Sequence, residues 1–488
     1  MLGSREVEQL FSIDFPGTAV VTDDGRMVSY AGLKQLTDEW AAKVPPRSLV
    51  FLLVGNNLDS LVAYVACLNH GIVPLMLDAK IDGQLLQRFI DVYHPDFIWR
   101  PSDGGYVLEP RNTLNTRNVN TAKGTDKISR DSSVSSSKED RLHPELALLL
   151  TTSGSTGSPK LVRQSYKNIR ANTASIVEYL KLDSSERPIT TLPMNYTYGL
   201  SIINSHLAVG ATLLLTDKSI MQREFWDFFT SQGATSFGGV PYTYEMLDKL
   251  MFFRRKLPSL RTMTQAGGKI LPELHRKFAE YAKREAKNFV VMYGQCEATA
   301  RMSYLPPDSA LDKVGSMGVA IPGGKFSLID VDGKEIVEPE TTGELVYDGA
   351  NVTLGYAECA DDLAKGDERH GRLVTGDMAK RDSEGFYYIV GRKKRFLKIF
   401  GNRVNLDETE RLIKAHFPSV DCVCGGVDDK MKIYVAVDSL NYRTHGEEDI
   451  RDFVAEKTHL NFTAFEIVSV ESIPKNASGK TLYSELPK

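Results

Sequence analysis

The segment Leu148–Lys160, LLLTTSGSTGSPK, joins an apolar run typical of a buried strand directly to hydroxyl residues, two glycines and a lysine. Gly154 and Gly157 allow the backbone to approach an oxyanion and to point N–H groups at it, while the hydroxyls and Lys160 add donors and positive charge. The spacing differs from that of the Walker P-loop. The segment predicts a phosphate-binding loop, with a Ser/Gly turn after a buried strand as the alternative. The predicted phosphate ligands are Thr152, Ser153, Gly154, Ser155, Thr156, Gly157 and Lys160.

On the N-terminal side of this loop, short apolar runs alternate with amphipathic stretches. Between Ser48 and Ala79 the order is LVFLLV, LDSLVAYVACLNHG and IVPLML, which is the rhythm of strand, helix and strand. The same rhythm returns over 189–215 and 225–292. It predicts an α/β fold with mainly parallel strands in a large N-terminal domain.

The composition changes twice along the rest of the chain. From about Arg111 to Asp140 the residues are polar with almost no apolar anchor, which predicts a surface loop or disordered insert, or alternatively a regulatory or partner-binding loop. After about Asp312 glycines and β-branched residues become denser and predict a β-rich subdomain. From Arg395 strand and helix patterns alternate again, and we expect a separate small α+β domain.

Length and composition limit the possible classes of protein. With 488 residues the chain exceeds what one hydrophobic core usually supports, so at least two domains are expected. A net charge of −4 gives no excess of positive charge with which to bind nucleic acid. The five scattered cysteines fit a reducing compartment better than disulfides or a zinc site. We find neither a signal-peptide pattern nor an apolar run of membrane-span length, and expect a cytoplasmic protein.

The phosphate-binding segment resembles the glycine-rich signature of the adenylate-forming superfamily, which includes acyl- and aryl-CoA synthetases, nonribosomal peptide adenylation domains and luciferases. Further elements in the family's order extend the resemblance over almost the whole chain. They are Tyr293–Glu297, similar to Y-G-x-T-E; Gly343 and Glu344, similar to G-E-L; Thr375–Asp377, similar to T-G-D; Gly391 and Arg392; Gly401; and Pro474–Lys480, similar to P-K-x-x-S-G-K.

This resemblance implies an AMP-forming acid–thiol ligase. Such an enzyme uses ATP and Mg²⁺ to convert a small-molecule carboxylic acid to its acyl-AMP with release of pyrophosphate. It then transfers the acyl group as a thioester to CoA or to the phosphopantetheine of an acyl carrier protein. An aryl or acyl acid is favoured, because the Asp that anchors an α-amino group in amino-acid-activating relatives is not evident. The alternatives are an amino-acid-activating carrier-protein ligase, a luciferase-like oxidative enzyme and a non-catalytic nucleotide-binding homologue.

The motifs also carry chemistry that can be stated for single residues. Glu297 follows a short strand ending at Met292 and offers a hard oxygen ligand for Mg²⁺ between ATP phosphates, although an acid there can also be a helix N-cap neighbour. Asp377 in a Gly-Asp turn suits two vicinal ribose hydroxyls, where Arg392 can join it. The resemblance implies that Lys480 contacts the reacting carboxylate and the α-phosphate. The predicted catalytic residues are Thr152, Glu297 and Lys480, and the remaining predicted nucleotide ligands are Gly267, Gly268, Tyr293, Gly294, Cys296, Asp377 and Arg392.

Two positions depart from the family pattern. Cys296 stands where Thr is usual and replaces a good hydroxyl donor with a weak thiol. Tyr196 stands where many CoA ligases carry a gating His. By resemblance the acid pocket is expected to suit a hydrophobic or aromatic acid of moderate size. Its predicted lining is Tyr196, Ser201, Gly239, Val240, Gly267 and Met302.

Two basic residues have predicted roles outside this lining. Arg301 is a candidate partner for a second carboxylate or a polar tail of the substrate, with a surface ion pair as the alternative. Lys394 matches the family's hinge position, around which the small domain swings between two half-reactions. The predicted division is a large domain over 1–391, a hinge over 392–395 and a small mobile domain over 396–488.

Overall fold

The structure is a computed structural model that describes residues 10–11, 13–111, 141–151, 160–418, 420–437, 446–475 and 481–487. The chain forms two compact units. The first comprises 1–314, 320–325 and 348–373, and the second 315–319, 326–347 and 374–488. The polar segment 112–140 lies outside the described residues. The division into these units does not bear on the hinge at 392–395, which stays a prediction.

The α-helices of the described residues are numbered in chain order. They are α1 (Tyr30–Ala41), α2 (Leu58–Asn69), α3 (Gly83–Tyr93), α4 (Tyr166–Leu180), α5 (Thr197–Leu207), α6 (Arg223–Ser231), α7 (Pro241–Lys249), α8 (Pro272–Arg284), α9 (Leu406–His416) and α10 (Glu447–Thr458). No helix among these residues combines the length and apolarity that crossing a bilayer requires.

The strands are numbered in the same way. They are β1 (Thr18–Thr22), β2 (Met27–Ser29), β3 (Leu49–Val54), β4 (Val73–Asp78), β5 (Phe97–Ser102), β6 (Gly105–Pro110), β7 (Leu146–Thr151), β8 (Leu161–Ser165), β9 (Leu213–Leu215), β10 (Ser236–Gly239), β11 (Thr262–Gln265), β12 (Asn288–Tyr293), β13 (Ser303–Tyr304), β14 (Val319–Ala320), β15 (Gly324–Ile329), β16 (Gly343–Gly349), β17 (Gly355–Ala357), β18 (Arg372–Arg381), β19 (Tyr387–Arg392), β20 (Phe396–Ile399), β21 (Asn402–Asn405), β22 (Cys422–Val427), β23 (Lys430–Ala436) and β24 (Phe465–Val470).

A seven-stranded sheet in the first unit has the order β17-β8-β7-β4-β3-β5-β6. Its central strands β7, β4, β3 and β5 are parallel, and the LVFLLV run of β3 is completely buried, as expected of a strand covered on both faces. Thr151 at the end of β7 pairs with Leu161 at the start of β8. The two ends of the predicted phosphate-binding loop therefore lie opposite each other. This arrangement confirms the predicted α/β class and its parallel core.

A second sheet, of order β10-β11-β12-β13-β14, carries the other motifs of the first unit. Strands β10, β11 and β12 are parallel neighbours and pair in register, with Gly239 opposite Gln265 and Gln265 opposite Val291. Because parallel strands end at the same edge, the segments that follow them come together. The motif segments after β11 and β12 are thereby placed side by side.

The second unit is built from small sheets. Strands β15, β16, β18 and β19 form a four-stranded sheet in that order, as the density of glycines and β-branched residues after Asp312 predicted. The three-stranded sheet β22-β23-β24 packs with α9 and α10 around a core that includes Ile413, Met431 and Ile433. Cys422 and Cys424 on β22 are free and buried in this core. Both therefore serve as buried core residues of the strand.

Two buried histidines make the first unit sensitive to acid. His206 on α5 and His275 on α8 face the backbone carbonyls of Ile202 and Ala310 at 2.8 and 2.9 Å, and burial lowers the pKa of both to about 4. An unfolded histidine titrates near 6.5, so between about pH 6.5 and 4 the unfolded chain binds more protons than the folded one. Stability is therefore retained above about pH 6.5 and falls as the pH drops through this window.

We predict that the double variant His206→Gln/His275→Gln has a flatter pH dependence of the urea-unfolding midpoint between pH 6.5 and 4 than the unaltered protein. The variant His459→Asn serves as the control, since that histidine is exposed at the end of α10. An equal slope in the double variant and the unaltered protein would contradict the assignment.

Candidate active site

The loops that follow β11 and β12 bring several predicted site residues together. Gly267 has a φ of 82°, and a Cβ at this position would lie 2.5 Å from the hydroxyl of Tyr196 and 3.1 Å from Cγ1 of Val240. Only glycine leaves room for that approach. Tyr196, Val240 and Gly267 therefore form one wall at the carboxyl edge of the sheet. Gly239 does not join it, because its open side faces Thr243 on α7, whereas Gly238 faces Tyr198.

The chain crosses itself tightly just after β12. A Cβ on Gly294 would lie 1.6 Å from the carbonyl oxygen of Ala300, so no other residue fits there without moving the backbone. Thr299 and Ala300 both have positive φ, 52° and 86°, which is uncommon for residues other than glycine. The glycine of the Y-G-x-x-E element is thus required by the backbone turn in which Glu297 lies.

Glu297 is held through both its backbone and its side chain. Its carbonyl oxygen accepts hydrogen bonds from the backbone N–H and hydroxyl of Thr353 and from Nη1 of Arg369, each at 3.0 Å. Its carboxylate Oε1 accepts a 2.7 Å hydrogen bond from the hydroxyl of Tyr356. Within the described residues Oε2 has no hydrogen-bond partner. The carboxylate is therefore fixed by one oxygen and offers the other, which fits a metal ligand.

A magnesium ion at this position needs oxygen ligands from elsewhere. The described part of the chain contains no group of three or more His, Cys, Asp and Glu side chains that could hold a metal. Mg²⁺ commonly binds one or two carboxylates together with substrate phosphates and water. A single fixed carboxylate is what such a shared site requires from the protein.

Tyr356 links Glu297 to two cations. Nζ of Lys160 lies 3.8 Å from the centroid of the Tyr356 ring, and Cζ of Arg369 lies 4.5 Å from it. Lys160 also forms an ion pair with the exposed Glu358 at 3.3 Å. Burial, and then the Glu297 carboxylate, raise the pKa of Tyr356, so its hydroxyl stays protonated and donates. The cations at the ring faces favour this position of the side chain.

Tyr356 and Arg369 were not identified from the sequence. They lie 59 and 72 residues from Glu297, and neither belongs to a motif with a recognisable chemical spacing. The available signal was the pair Gly355–Tyr356 in a strand that follows the G-E-L element. Strand β8 begins directly after Lys160. Only the pairing of β17 with β8 shows that the strand carrying Tyr356 lies near Lys160.

Cys296 lies beside the start of the predicted phosphate-binding loop. Its Sγ is 3.9 Å from the carbonyl oxygen of Thr151, the last residue of β7, and its own carbonyl faces Nε2 of Gln164 at 3.5 Å. The thiol thus lies at the end of β7, and its role as a nucleotide ligand stays a prediction. A weak S–H donor stands there in place of the usual hydroxyl.

The predicted acid pocket contains a group of tyrosines around a buried cation. The rings of Tyr196 and Tyr198 meet edge to face at 6.3 Å, and the Tyr198 hydroxyl bonds to Thr264 at 2.7 Å. Ser201 donates to the carbonyl of Tyr198 and accepts from Nε of Arg301 at 3.0 Å. Arg301 is only 2% exposed, so the alternative of a surface ion pair is wrong.

Met302, another residue of the predicted lining, lies beside the end of β12. Its side chain is buried, and its backbone N–H donates to the carbonyl of Tyr293 at 2.9 Å. Its own carbonyl accepts from Ile321. Met302 and Tyr293 are thereby held next to each other, one from the predicted acid pocket and one from the predicted nucleotide site.

The second unit carries the predicted ribose ligands. Asp377 and Arg392 are cross-strand partners in β18 and β19, and Nε of Arg392 lies 3.4 Å from Oδ1 of Asp377. Asp377 is 5% exposed, whereas the Arg392 side chain is largely exposed. The hydroxyl of Thr375 accepts from the backbone N–H of Asp377 and donates to Leu345, which fixes the turn at Gly376. The structure brings these two predicted ligands together.

The predicted hinge lies in a single turn, Lys393–Arg395, between β19 and β20. Lys393 bonds to Glu344 at 2.7 Å, and Lys394 is exposed. Arg395 is anchored by Asp407 and Glu410 and stacks on the ring of Tyr483 at 4.1 Å. Lys394 is thus an exposed residue between two anchored ones.

The segments with Thr152–Gly157 and Lys480 lie outside the described residues, and their roles stay predictions.

The sequence profile described as "AMP-binding enzyme" matches residues 14–357. Among curated proteins, the oxalate–CoA ligase of Arabidopsis thaliana is 26% identical, with 96% of this chain and 94% of that protein aligned. The 2-succinylbenzoate–CoA ligase of Bacillus licheniformis is 25% identical, with 89% of this chain and 88% of that protein aligned.

Solved structures share the fold. The O-succinylbenzoate coenzyme A synthetase MenE of Bacillus subtilis, in complex with ATP and magnesium, superposes with a TM-score of 0.77 at 20% identity, over 96% of both chains. ATP-bound MatB of Rhodopseudomonas palustris gives a TM-score of 0.75 at 22% identity, covering 98% of this chain and 97% of that one. Since the family profile spans well over half of the sequence and the motifs follow its order, the chain belongs to the AMP-binding enzyme family within the adenylate-forming superfamily.

Proposed function

We propose that the protein is an AMP-forming acid–CoA ligase. The observation that carries the proposal is the placement of Glu297 in the turn after β12, with one carboxylate oxygen fixed by Tyr356 and the other without a partner among the described residues. A fixed carboxylate that can bind a metal is what activation of an acid by a nucleoside triphosphate requires of the protein. Membership of the AMP-binding enzyme family supports the same reaction.

In the first half-reaction an oxygen of the acid's carboxylate attacks the α-phosphorus of ATP, and the bond from that phosphorus to the pyrophosphate oxygen breaks. Glu297 would hold Mg²⁺, which when bound would neutralise charge on the phosphates. The loop Thr152–Gly157 and Lys160 bind phosphate oxygens. Lys480 stabilises charge that develops between the carboxylate and the α-phosphate. Asp377 and Arg392 bind the ribose hydroxyls, and Tyr293 flanks the adenine.

In the second half-reaction the thiol sulfur attacks the acyl carbon, the bond to AMP breaks, and a thioester forms. CoA is the acceptor that the relatives favour, since they are named as ligases of oxalate, 2-succinylbenzoate and indoleacetate with CoA. A carrier-protein phosphopantetheine is the second candidate acceptor. Movement about Lys394 would present the thiol to the acyl-AMP. We place this reaction in the cytoplasm.

Two other functions are less well supported. A non-catalytic homologue does not need to fix a glutamate through both its backbone carbonyl and its carboxylate, as Glu297 is fixed. An amino-acid-activating ligase normally fixes the substrate's α-amino group with a carboxylate, and Asn195 and Tyr196 stand in the segment where that Asp is expected. An acyl or aryl acid without an α-amino group is the better candidate.

Acid-dependent exchange of labelled pyrophosphate into ATP tests the proposal. Across a panel of aryl, fatty, dicarboxylic and amino acids, we expect exchange with acids that lack an α-amino group and transfer of the acyl group to CoA. The variant Lys480→Ala should lower the exchange rate by about 100-fold or more, because it removes the charge beside the reacting carboxylate. Lys457→Ala is the control, since Lys457 is exposed on α10 next to Glu456. Absence of exchange with every acid would contradict the proposal.

A second prediction concerns Tyr356, the positioning residue for Glu297. Tyr356→Phe removes the hydrogen bond to Oε1 and should raise the Mg²⁺ concentration for half-maximal pyrophosphate exchange by roughly tenfold, with a smaller effect on the rate at saturating Mg²⁺. Tyr388→Phe is a matched control, because it removes a tyrosine–carboxylate bond to Asp382 elsewhere in the chain. An unchanged Mg²⁺ dependence would show that Tyr356 does not position the ligand.

A third prediction concerns the hinge. Lys394→Pro fixes φ near −65° in the turn Lys393–Arg395 and should slow thioester formation more than acyl-AMP formation. Lys394→Ala is the control, since it removes the charge and leaves the backbone free to rotate. Single-turnover measurements of the two half-reactions would distinguish the outcomes. Equal slowing of both half-reactions by proline would argue against a hinge at this residue.

A further inference from the structure

Arg301 is a buried guanidinium whose protein partners are all uncharged. Its side chain is 2% exposed. Nε donates to the Ser201 hydroxyl at 3.0 Å, and Nη1 donates to the Tyr179 hydroxyl at 3.0 Å and to Sδ of Met292 at 3.5 Å. Within the described residues, Nη2 makes no hydrogen bond and no carboxylate pairs with this side chain.

The surroundings of Arg301 do not supply a compensating negative charge. Its Cζ lies 5.2 Å from the centroid of the Tyr198 ring, which offers only the attraction of an aromatic face. Burial raises the pKa of Tyr198 to about 12 and also raises that of Tyr179, so both hydroxyls are neutral near pH 7. Buried His206, whose pKa is lowered to about 4, is neutral as well. A buried cation without an anion is costly.

Arg163, in the same unit, is a useful contrast. It is also completely buried, but it forms an ion pair with Glu368 and donates to the carbonyls of Tyr356 and Leu354. That arrangement is the usual solution for a buried guanidinium, in which every charge and donor finds a partner within the protein. Among the described residues Arg301 has no such partner, and a ligand that brings its own anion would supply one.

The backbone around Arg301 is built to hold the side chain in this place. The tight crossing at Gly294 and the positive φ values of Thr299 and Ala300 turn the chain sharply just before it. The carbonyl of Arg301 then accepts from the amides of Asn172 and Asn351 at 2.8 and 3.1 Å. Strain of this kind persists where the position of a side chain matters.

The guanidinium also contacts the predicted lining of the acid pocket. Ser201, which accepts from its Nε, belongs to the predicted lining and donates to the carbonyl of Tyr198. Tyr198 meets Tyr196 edge to face, and the Tyr196 hydroxyl is packed against Gly267. A continuous set of contacts therefore leads from the glycine turn after β11, whose Gly267 belongs to both the predicted pocket lining and the predicted nucleotide site, to Arg301.

We infer that Arg301 is a specificity-determining residue that binds a second anionic group of the acid, so that the enzyme activates dicarboxylic acids in preference to monocarboxylic ones. The reacting carboxylate faces the nucleotide. The distal carboxylate accepts a hydrogen bond from Nη2 of Arg301 and forms an ion pair with its guanidinium. This inference rests on the proposed acid-activating function and names its substrate class.

The test compares matched acids in the pyrophosphate exchange assay. Linear dicarboxylic acids of increasing length and aromatic dicarboxylic acids are each measured beside their monomethyl esters and beside the monocarboxylic acid of equal carbon number. For the preferred diacid, kcat/KM should exceed that of its monoester by roughly 10- to 100-fold, because the ester cannot form the charge-assisted bonds. Most of the difference should lie in KM.

Variants connect this preference to the residue. Arg301→Leu should bring the diacid-to-monoester ratio close to unity while exchange with the monoester is retained. Arg301→Lys keeps the positive charge but loses the planar arrangement of donors, and it should give an intermediate diacid-to-monoester ratio. Circular dichroism shows whether each variant folds. If Arg301→Leu does not fold, the ratio measured for Arg301→Lys still tests the inference. Arg163→Lys is the matched control, a buried arginine whose replacement should lower stability and leave the ratio unchanged.

Each outcome has a defined meaning. A protein that uses monocarboxylic acids or monoesters as well as diacids, or an Arg301→Leu variant that keeps the ratio, would overturn the inference and leave the proposed function standing. Absence of exchange with every acid would remove both.

Discussion

The close backbone crossing between Gly294 and Ala300 fixes the two residues on which the chemistry of the first unit depends. A side chain at Gly294 would collide with the Ala300 carbonyl, so the turn from Tyr293 to Arg301 has essentially one course. Along that course Glu297 points to Tyr356, and Arg301 points to Tyr179 and Ser201. The glycine therefore places the Glu297 carboxylate, the proposed metal ligand, and the buried Arg301 guanidinium within the same few residues, with opposite charges directed to different neighbours.

Long-range contacts then stabilise what this turn presents. Thr353 and Arg369 bind the Glu297 carbonyl, and Asn351 binds the carbonyls of Ala298 and Arg301. All of these partners lie within the 348–373 stretch, which the chain reaches only after leaving the first unit and returning to it. Because this stretch carries several of the bonds that hold the turn, its folding and the positioning of the Glu297 carboxylate are coupled.

The sequence predicted the α/β class, the parallel core and the grouping of motif residues at strand ends, because apolar periodicity and glycine positions are local properties. Tyr356 and Arg369 could not be predicted, since their roles arise from the pairing of β17 with β8 and not from a spacing. The direction in which Gly239 faces could not be predicted either, because it depends on how α7 packs against the end of β10. Arg301 was recognised as a cation near the pocket, but the absence of a carboxylate partner among the described residues is visible only in three dimensions.

The charge of Arg301, which has no carboxylate partner among the described residues, also links the supply of substrate to the lifetime of the protein. A buried guanidinium that waits for its anion lowers the stability of the empty enzyme, and any acid that completes the pair stabilises the folded state by mass action. Cellular proteases and chaperones act on the fraction that unfolds, so a change of one or two kcal/mol alters abundance several-fold. In a cell that lacks the acid, the enzyme would be degraded faster than in one that makes it, and its level would follow demand without a dedicated regulator.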